Sequence, residues 1–249
     1  AYGKQGQSCL GIGMRVPRGR ELSCMQGAYR APLLHLEGAM KFLLNGDEPG
    51  RTTILLAHGA GAAMDTPWMA TTAGALAQCG FRVARFEFSY MSARRTGGSK
   101  RPPAKADTYA PEFLAAIDAL GCDGPLIIGG KSMGGRVASL IAQDLYDAGR
   151  IKGMLCLGFP FHPPKKPGNR RGENLAEITC PTLICQGTRD PFGTREEVQE
   201  YDLSNAVTLH WLEDGDHDLK PRKRVTGKTL EGQLLKLAEQ VKVWANSCF

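Results

Sequence analysis

A chain of 249 residues, 42% hydrophobic and 22% charged, suits one large folded domain and excludes wholesale disorder. Its formal charge of +6 gathers in three runs, 93–105, 164–171 and 219–224, with no aromatic residues interleaved, so no nucleic-acid partner is expected. No stretch reaches the roughly 18 apolar residues needed to cross a bilayer, and neither a membrane partner nor a secretory leader is expected.

Residues 1–30 carry four basic residues before their first acid, Glu21, and glycine and proline interrupt any amphipathic pattern. They are expected to form an irregular arm, with 31–249 as a single α/β domain. LHLEGAMKFLLN (34–45) reads as a hairpin or a pair of edge strands, and TTILLAH (52–58) as a buried strand. PWMATTAGALAQCG (67–80) predicts a helix stopping at Gly80, FRVARFEFSYM (81–91) a strand, and APEFLAAIDALG (110–121) a helix stopping at Gly121. Strand 125–130, helix 135–149 and strands 151–161, 181–187 and 206–213 follow. Helices are expected at 195–203 and 228–246, the last with Leu230, Leu234, Leu235, Val241 and Val243 on or near one face. Strands alternating with helices imply a mostly parallel sheet covered on both faces. The eight cysteines are scattered and form no C-x-x-C pair, and Cys156 and Cys185 sit in apolar runs. Reduced thiols, a cytoplasmic location and no metal site are expected.

Within PLIIGGKSMGGRVASL (125–140), Gly130-Lys131-Ser132-Met133-Gly134 has the form G-x-S-x-G between a strand and a helix. In that context the glycines permit a turn too tight for side chains, the serine hydroxyl is thrust off the sheet, and the helix N-terminus points at it. A phosphate-binding loop would need glycine where Pro125 stands, and HGAGAAM (58–64) has Met64 in place of the third glycine of a dinucleotide fingerprint.

A serine needs a base, and the base an orienting acid. Of the five histidines, His35 and His210 fall in predicted strands, and His58 and His162 do not suit the chain order serine, acid, histidine. His217, in EDGDHDL after the last strand, is the expected base. Asp190, in the loop after the penultimate strand, is the expected acid; Asp214, Asp216 and Asp218 are alternatives beside the histidine. The N–H of Met133 and one from HGAG (58–61) would form an oxyanion hole, Ala60 being the expected donor and Gly61 its neighbour on the substrate, with His58 bracing the loop.

HGAG, GKSMGG, GTRDPFG and GDHDLKPRK together resemble the α/β-hydrolase superfamily, and FEFSYMSARRTGGSKRPP and GFPFHPPKKP resemble its dienelactone-hydrolase-like branch. That branch is related to a testis-expressed protein and to a subunit of the nonspecific-lethal acetyltransferase complex. The resemblance covers about residues 35 to 245. It implies an α/β-hydrolase fold with little or no lid, and Ser132, Asp190 and His217 as nucleophile, acid and base. True dienelactone hydrolases carry cysteine at the elbow, so Ser132 argues against dienelactone chemistry itself. The expectation is therefore a hydrolase of a small carboxylic ester, without cofactor or metal. Arg94, Arg95 and His162, near strand ends on the same face, are expected to meet the substrate and to favour an anionic one. An acyltransferase and a non-catalytic interaction module are the alternatives.

Overall fold

The computed structural model describes residues 40–46, 50–98 and 102–248. The expected arm at 1–30 and the first half of the 34–45 hairpin lie outside them. Among the described residues seven strands form one sheet in the order β1-β3-β2-β4-β5-β6-β7. They are β1 (Leu43–Asn45), β2 (Thr53–Ala57), β3 (Arg82–Phe86), β4 (Leu126–Lys131), β5 (Gly153–Leu157), β6 (Thr182–Gly187) and β7 (Val207–Leu212). Only β1 runs antiparallel, against β3; the other neighbours are parallel.

The helices are α1 (Pro67–Gln78), α2 (Ser89–Arg95), α3 (Ala110–Leu120), α4 (Met133–Asp147), α5 (Arg195–Val198), α6 (Lys223–Thr226) and α7 (Leu230–Cys248). The central strands β2, β4, β5 and β6 bury every residue, as strands covered on both sides must. On one face Leu55, Phe86, Ile128 and Cys156 pack with Phe113 of α3 and Val137 and Ile141 of α4. On the other, Ile54, Val83, Ile127 and Leu155 pack with Leu76 of α1 and Leu234, Leu237 and Trp244 of α7. Each such large side chain removed from water contributes about 1.5–3 kcal/mol.

This division of helices positions the site. From β2 the chain crosses one face through α1 to reach β3. From β4 it crosses the opposite face through α4 to reach β5. The loops after β2 and β4 therefore diverge between adjacent strands, opening a crevice at their carboxyl ends. Among the described residues no helical lid covers it. The connection from β5 to β6 carries only a short 3₁₀ turn, Glu173–Leu175.

Three local expectations need correction. The strand expected to reach residue 91 ends at Phe86, and α2 begins at Ser89 because the Glu112 carboxylate accepts both its amide (2.7 Å) and its hydroxyl (2.7 Å). A carboxylate on an exposed helix N-terminal amide is favourable, and this one comes from α3. The helix expected over 195–203 is a single turn, α5, started by a Thr194–Glu197 capping box. Arg170 donates to the Glu200 carbonyl at 3.0 Å, an acceptor that a continuing helix would have used. On α7 the buried stripe is Leu234, Leu237, Ala238, Val241, Trp244 and Ala245, whereas Leu235 and Val243 are 43% and 62% exposed.

Candidate active site

β4 ends in backbone crowding. A side chain at Gly130 would collide with the Ala57 carbonyl and the backbone of Gly134. One at Gly134 would place Cβ 2.5 Å from the Ala57 oxygen and 2.8 Å from the His58 oxygen. Between them Ser132 is held at φ 51° and ψ −112°, a conformation costly for any side-chain-bearing residue. Its N–H donates to Leu157 O (3.0 Å), and its carbonyl accepts the Arg136 N–H (3.0 Å), which starts α4.

The Ser132 Oγ is 2.9 Å from His217 Nε2, and His217 Nδ1 is 2.8 Å from Asp190 Oδ2. The three side chains come from the turns after β4, β7 and β6, and the relay is continuous. Asp190 is fully buried. Its Oδ1 accepts the Phe192 N–H (2.8 Å), and its Oδ2 also accepts Gln186 Nε2 (3.0 Å). With Asp190 accepting, His217 donates from Nδ1 and leaves Nε2 able to take the serine proton. The Phe192 ring lies against the imidazole, centroids 4.1 Å apart.

The neighbouring aspartates hold the histidine loop. Asp214 pairs with Arg222, whose Nε lies 2.8 Å from Oδ1, and with Arg189 at 3.2 Å. The Arg222 guanidinium above all holds the Asp214 carboxyl down at about 2. Asp216 Oδ1 accepts the N–H groups of Asp218 (2.9 Å) and Lys220 (3.0 Å).

The HGAG loop runs beside the serine, with Gly59 next to the Ser132 Cβ. His58 is fully buried, donates from Nδ1 to Gly59 O (2.7 Å) and accepts the Phe88 N–H at Nε2 (3.2 Å). Burial lowers its pKa, in keeping with a neutral ring that ties this loop to β3's extension. Tyr90 Oη donates to Ala60 O (3.1 Å) and also lies 3.3 Å from Gly59 O. The backbone N–H groups of Ala60, Gly61 and Met133 have no acceptor among the described residues. Gly61 is exposed, with open space where a side chain would stand.

Two of the expected substrate contacts, Arg95 and His162, are engaged by the protein's own groups. Arg95 is already engaged by Glu87 (2.6 Å) and Asp65 (2.8 Å), so its charge is answered within the protein. His162 is 1% exposed and sits between Pro163 O (2.9 Å) and Glu197 Oε2 (3.2 Å), where it braces the β5 and β6 loops instead of facing substrate. Arg94 stacks its guanidinium over the Tyr90 ring, 5.1 Å from the centroid.

The sequence reading passed over Lys131, Gln186 and Phe192. Lys131 is the unspecified second position of the elbow. It is buried, donates from Nζ to the His217 carbonyl (2.7 Å) and lies 3.5 Å from Asp218 Oδ1. Burial lowers its pKa below the usual lysine range, against the pull of Asp218, Asp190 and Asp216. The available signal was a lysine closing an otherwise apolar strand, as Gln186 is the lone polar residue late in TLICQG. No group of three or more histidine, cysteine or acidic side chains suited to a metal ion occurs among the described residues.

A family model described as the alpha/beta hydrolase domain matches residues 50–246, and the chain belongs to that family. Solved structures share the fold at low identity. A dienelactone hydrolase from Anabaena variabilis is similar with a TM-score of 0.63 and 17% identity, over 86% of this chain and 94% of that one. A serine hydrolase without a lid from Xanthomonas campestris gives 0.59 and 18%, over 84% and 88%. An alpha-beta serine hydrolase homologue from Coxiella burnetii gives 0.56 and 17%, over 84% and 92%.

Proposed function

We propose that this hydrolase-fold protein cleaves a small carboxylic ester through an acyl-enzyme on Ser132. The observation that carries the reading is the unbroken Ser132–His217–Asp190 relay, with contacts of 2.9 and 2.8 Å. Ser132 Oγ attacks the ester carbonyl carbon while its proton passes to His217 Nε2. Negative charge develops on the carbonyl oxygen, toward which the Met133 and Ala60 N–H groups and the N-terminus of the fifteen-residue α4 are available. Collapse expels the alcohol, which takes the proton back from His217. Water then attacks the acyl carbon, gives its proton to His217, and the acid leaves with Ser132 restored.

The alternatives keep a place in this reading. Acyl transfer differs only in the acceptor that replaces water. The likeness to the branch with the testis-expressed protein and the acetyltransferase-complex subunit raises an interaction module, in which the serine would be unreactive. The free, buried thiols of Cys156, Cys180 and Cys185 support a reducing, cytoplasmic setting. An anionic substrate would draw on the basic residues after β3, Arg94 beside Tyr90 and Arg95 beside Glu87 and Asp65.

Intact mass after treatment with a fluorophosphonate tests the proposal. One adduct on the wild type and none on Ser132→Ala is the expected result, followed by turnover of short-chain esters. Folded wild-type protein that takes no adduct would favour the interaction module.

A further inference from the structure

The β4 strand buries all six of its residues, and the last of them is Lys131. Placing an ammonium in such a position is costly before its contacts are counted. A methionine would fill similar space without that cost. Lys131 contacts the histidine loop at His217 O (2.7 Å) and Asp218 Oδ1 (3.5 Å), and lies over the face of Trp68 of α1 at 5.6 Å. Trp68 in turn donates its indole N–H to the Asp218 carbonyl at 2.7 Å. Consecutive carbonyls of the histidine loop are thus held by donors from β4 and α1, and one donor directly precedes Ser132 in the chain.

We propose that Lys131 is a positioning residue: by fixing the His217 carbonyl it sets the imidazole over the Ser132 hydroxyl, so that one end of one strand places both reacting side chains. This rests on the hydrolase reading above. Asp218 and Asp216 in the histidine loop and Asp190 after β6 are the acids facing the ammonium, and they act against the lowering of its pKa by burial. The anchor acts through the backbone of His217, so its loss moves the imidazole without removing any group of the relay. A shift of about 1 Å between reacting groups is enough to cost on the order of 10²-fold in rate.

The test compares Lys131→Met with wild type, counting reactive sites by fluorophosphonate titration and measuring kcat and KM on a short-chain ester. The expected result is kcat per titrated site lower by about 10²-fold with KM little changed. Lys131→Ala should regain part of its kcat when ethylammonium, but not ethanol, is added. A merely structural lysine predicts fewer titratable sites with unchanged kcat per site, and that outcome overturns the inference. Should Lys131→Met fail to fold, Trp68→Phe removes one donor and keeps the lysine; a several-fold loss of kcat per site is expected, and wild-type turnover would count against the anchor. Wild type that takes no adduct overturns the hydrolase reading itself, and with it any imidazole to position.

Discussion

Around Ser132 the geometry is held by crowding. Gly130 and Gly134 bring two stretches of backbone against the Ala57 and His58 carbonyls, and no charged group takes part in that contact. Around His217 it is held by charge: Asp214 with Arg222 and Arg189, Asp216 on two backbone amides, and Lys131 on the histidine carbonyl. The two regions meet where Ser132 Oγ touches His217 Nε2 and where Lys131 Nζ donates to the His217 carbonyl, yet they should fail differently. Crowding has no partial setting, because a packed backbone either fits or displaces a strand. Ionic contacts weaken by degrees with pH and with each partner removed.

The largest expected effect comes from breaking the crowded side. Gly134→Ala forces a methyl group against the β2 backbone, and overpacking of this kind costs about 1–3 kcal/mol or more. Thermal melting should show a clear loss of stability, and labelling of Ser132 by the fluorophosphonate should vanish. A variant that labels and melts like wild type would mean that the elbow tolerates slack. The Lys131 substitutions come next, with a graded loss in turnover and most of the stability kept.

Asp214→Asn is the milder probe of the charged side. The folded carboxyl titrates at about 2, below its ordinary 3.8, so the carboxylate stabilises the fold above about pH 4. That contribution fades as pH falls through about 2. The asparagine variant should therefore melt at a lower temperature at neutral pH, and between pH 4 and 2 its stability should fall less steeply than that of wild type. Melting curves across that range that run parallel for the two proteins would show that charge is not what secures the loop.

The parts of the site that could be read from the sequence are those written as local pattern. The elbow announces itself because its glycines are neighbours of the serine. Chain order then separates His217 from the other histidines, and the loop after the penultimate strand points to Asp190. Asp214, Asp216 and Asp218 were open alternatives as the acid because proximity in sequence says nothing of direction; in the structure each turns to the loop or to Lys131. What stayed hidden depends on partners far along the chain. Glu112 starts α2 from 23 residues away, and Lys131 reaches His217 across 86. Arg95 and His162 looked like rim residues because their acids, Asp65, Glu87 and Glu197, belong to other segments. The mostly parallel sheet follows from the alternation of strands and helices, but the strand order and the turn from β3 into α2 do not.

If Ser132 is the nucleophile proposed above, its backbone, φ 51° and ψ −112°, sets stability and chemistry against each other at a single residue. Glycine accepts that conformation far more readily than serine, so Ser132→Gly should melt higher than Ser132→Ala, by about 1 kcal/mol, while both lose the adduct. A descendant of this chain released from chemistry would thus gain by mutating there, and the serine is the residue it would be rewarded for discarding.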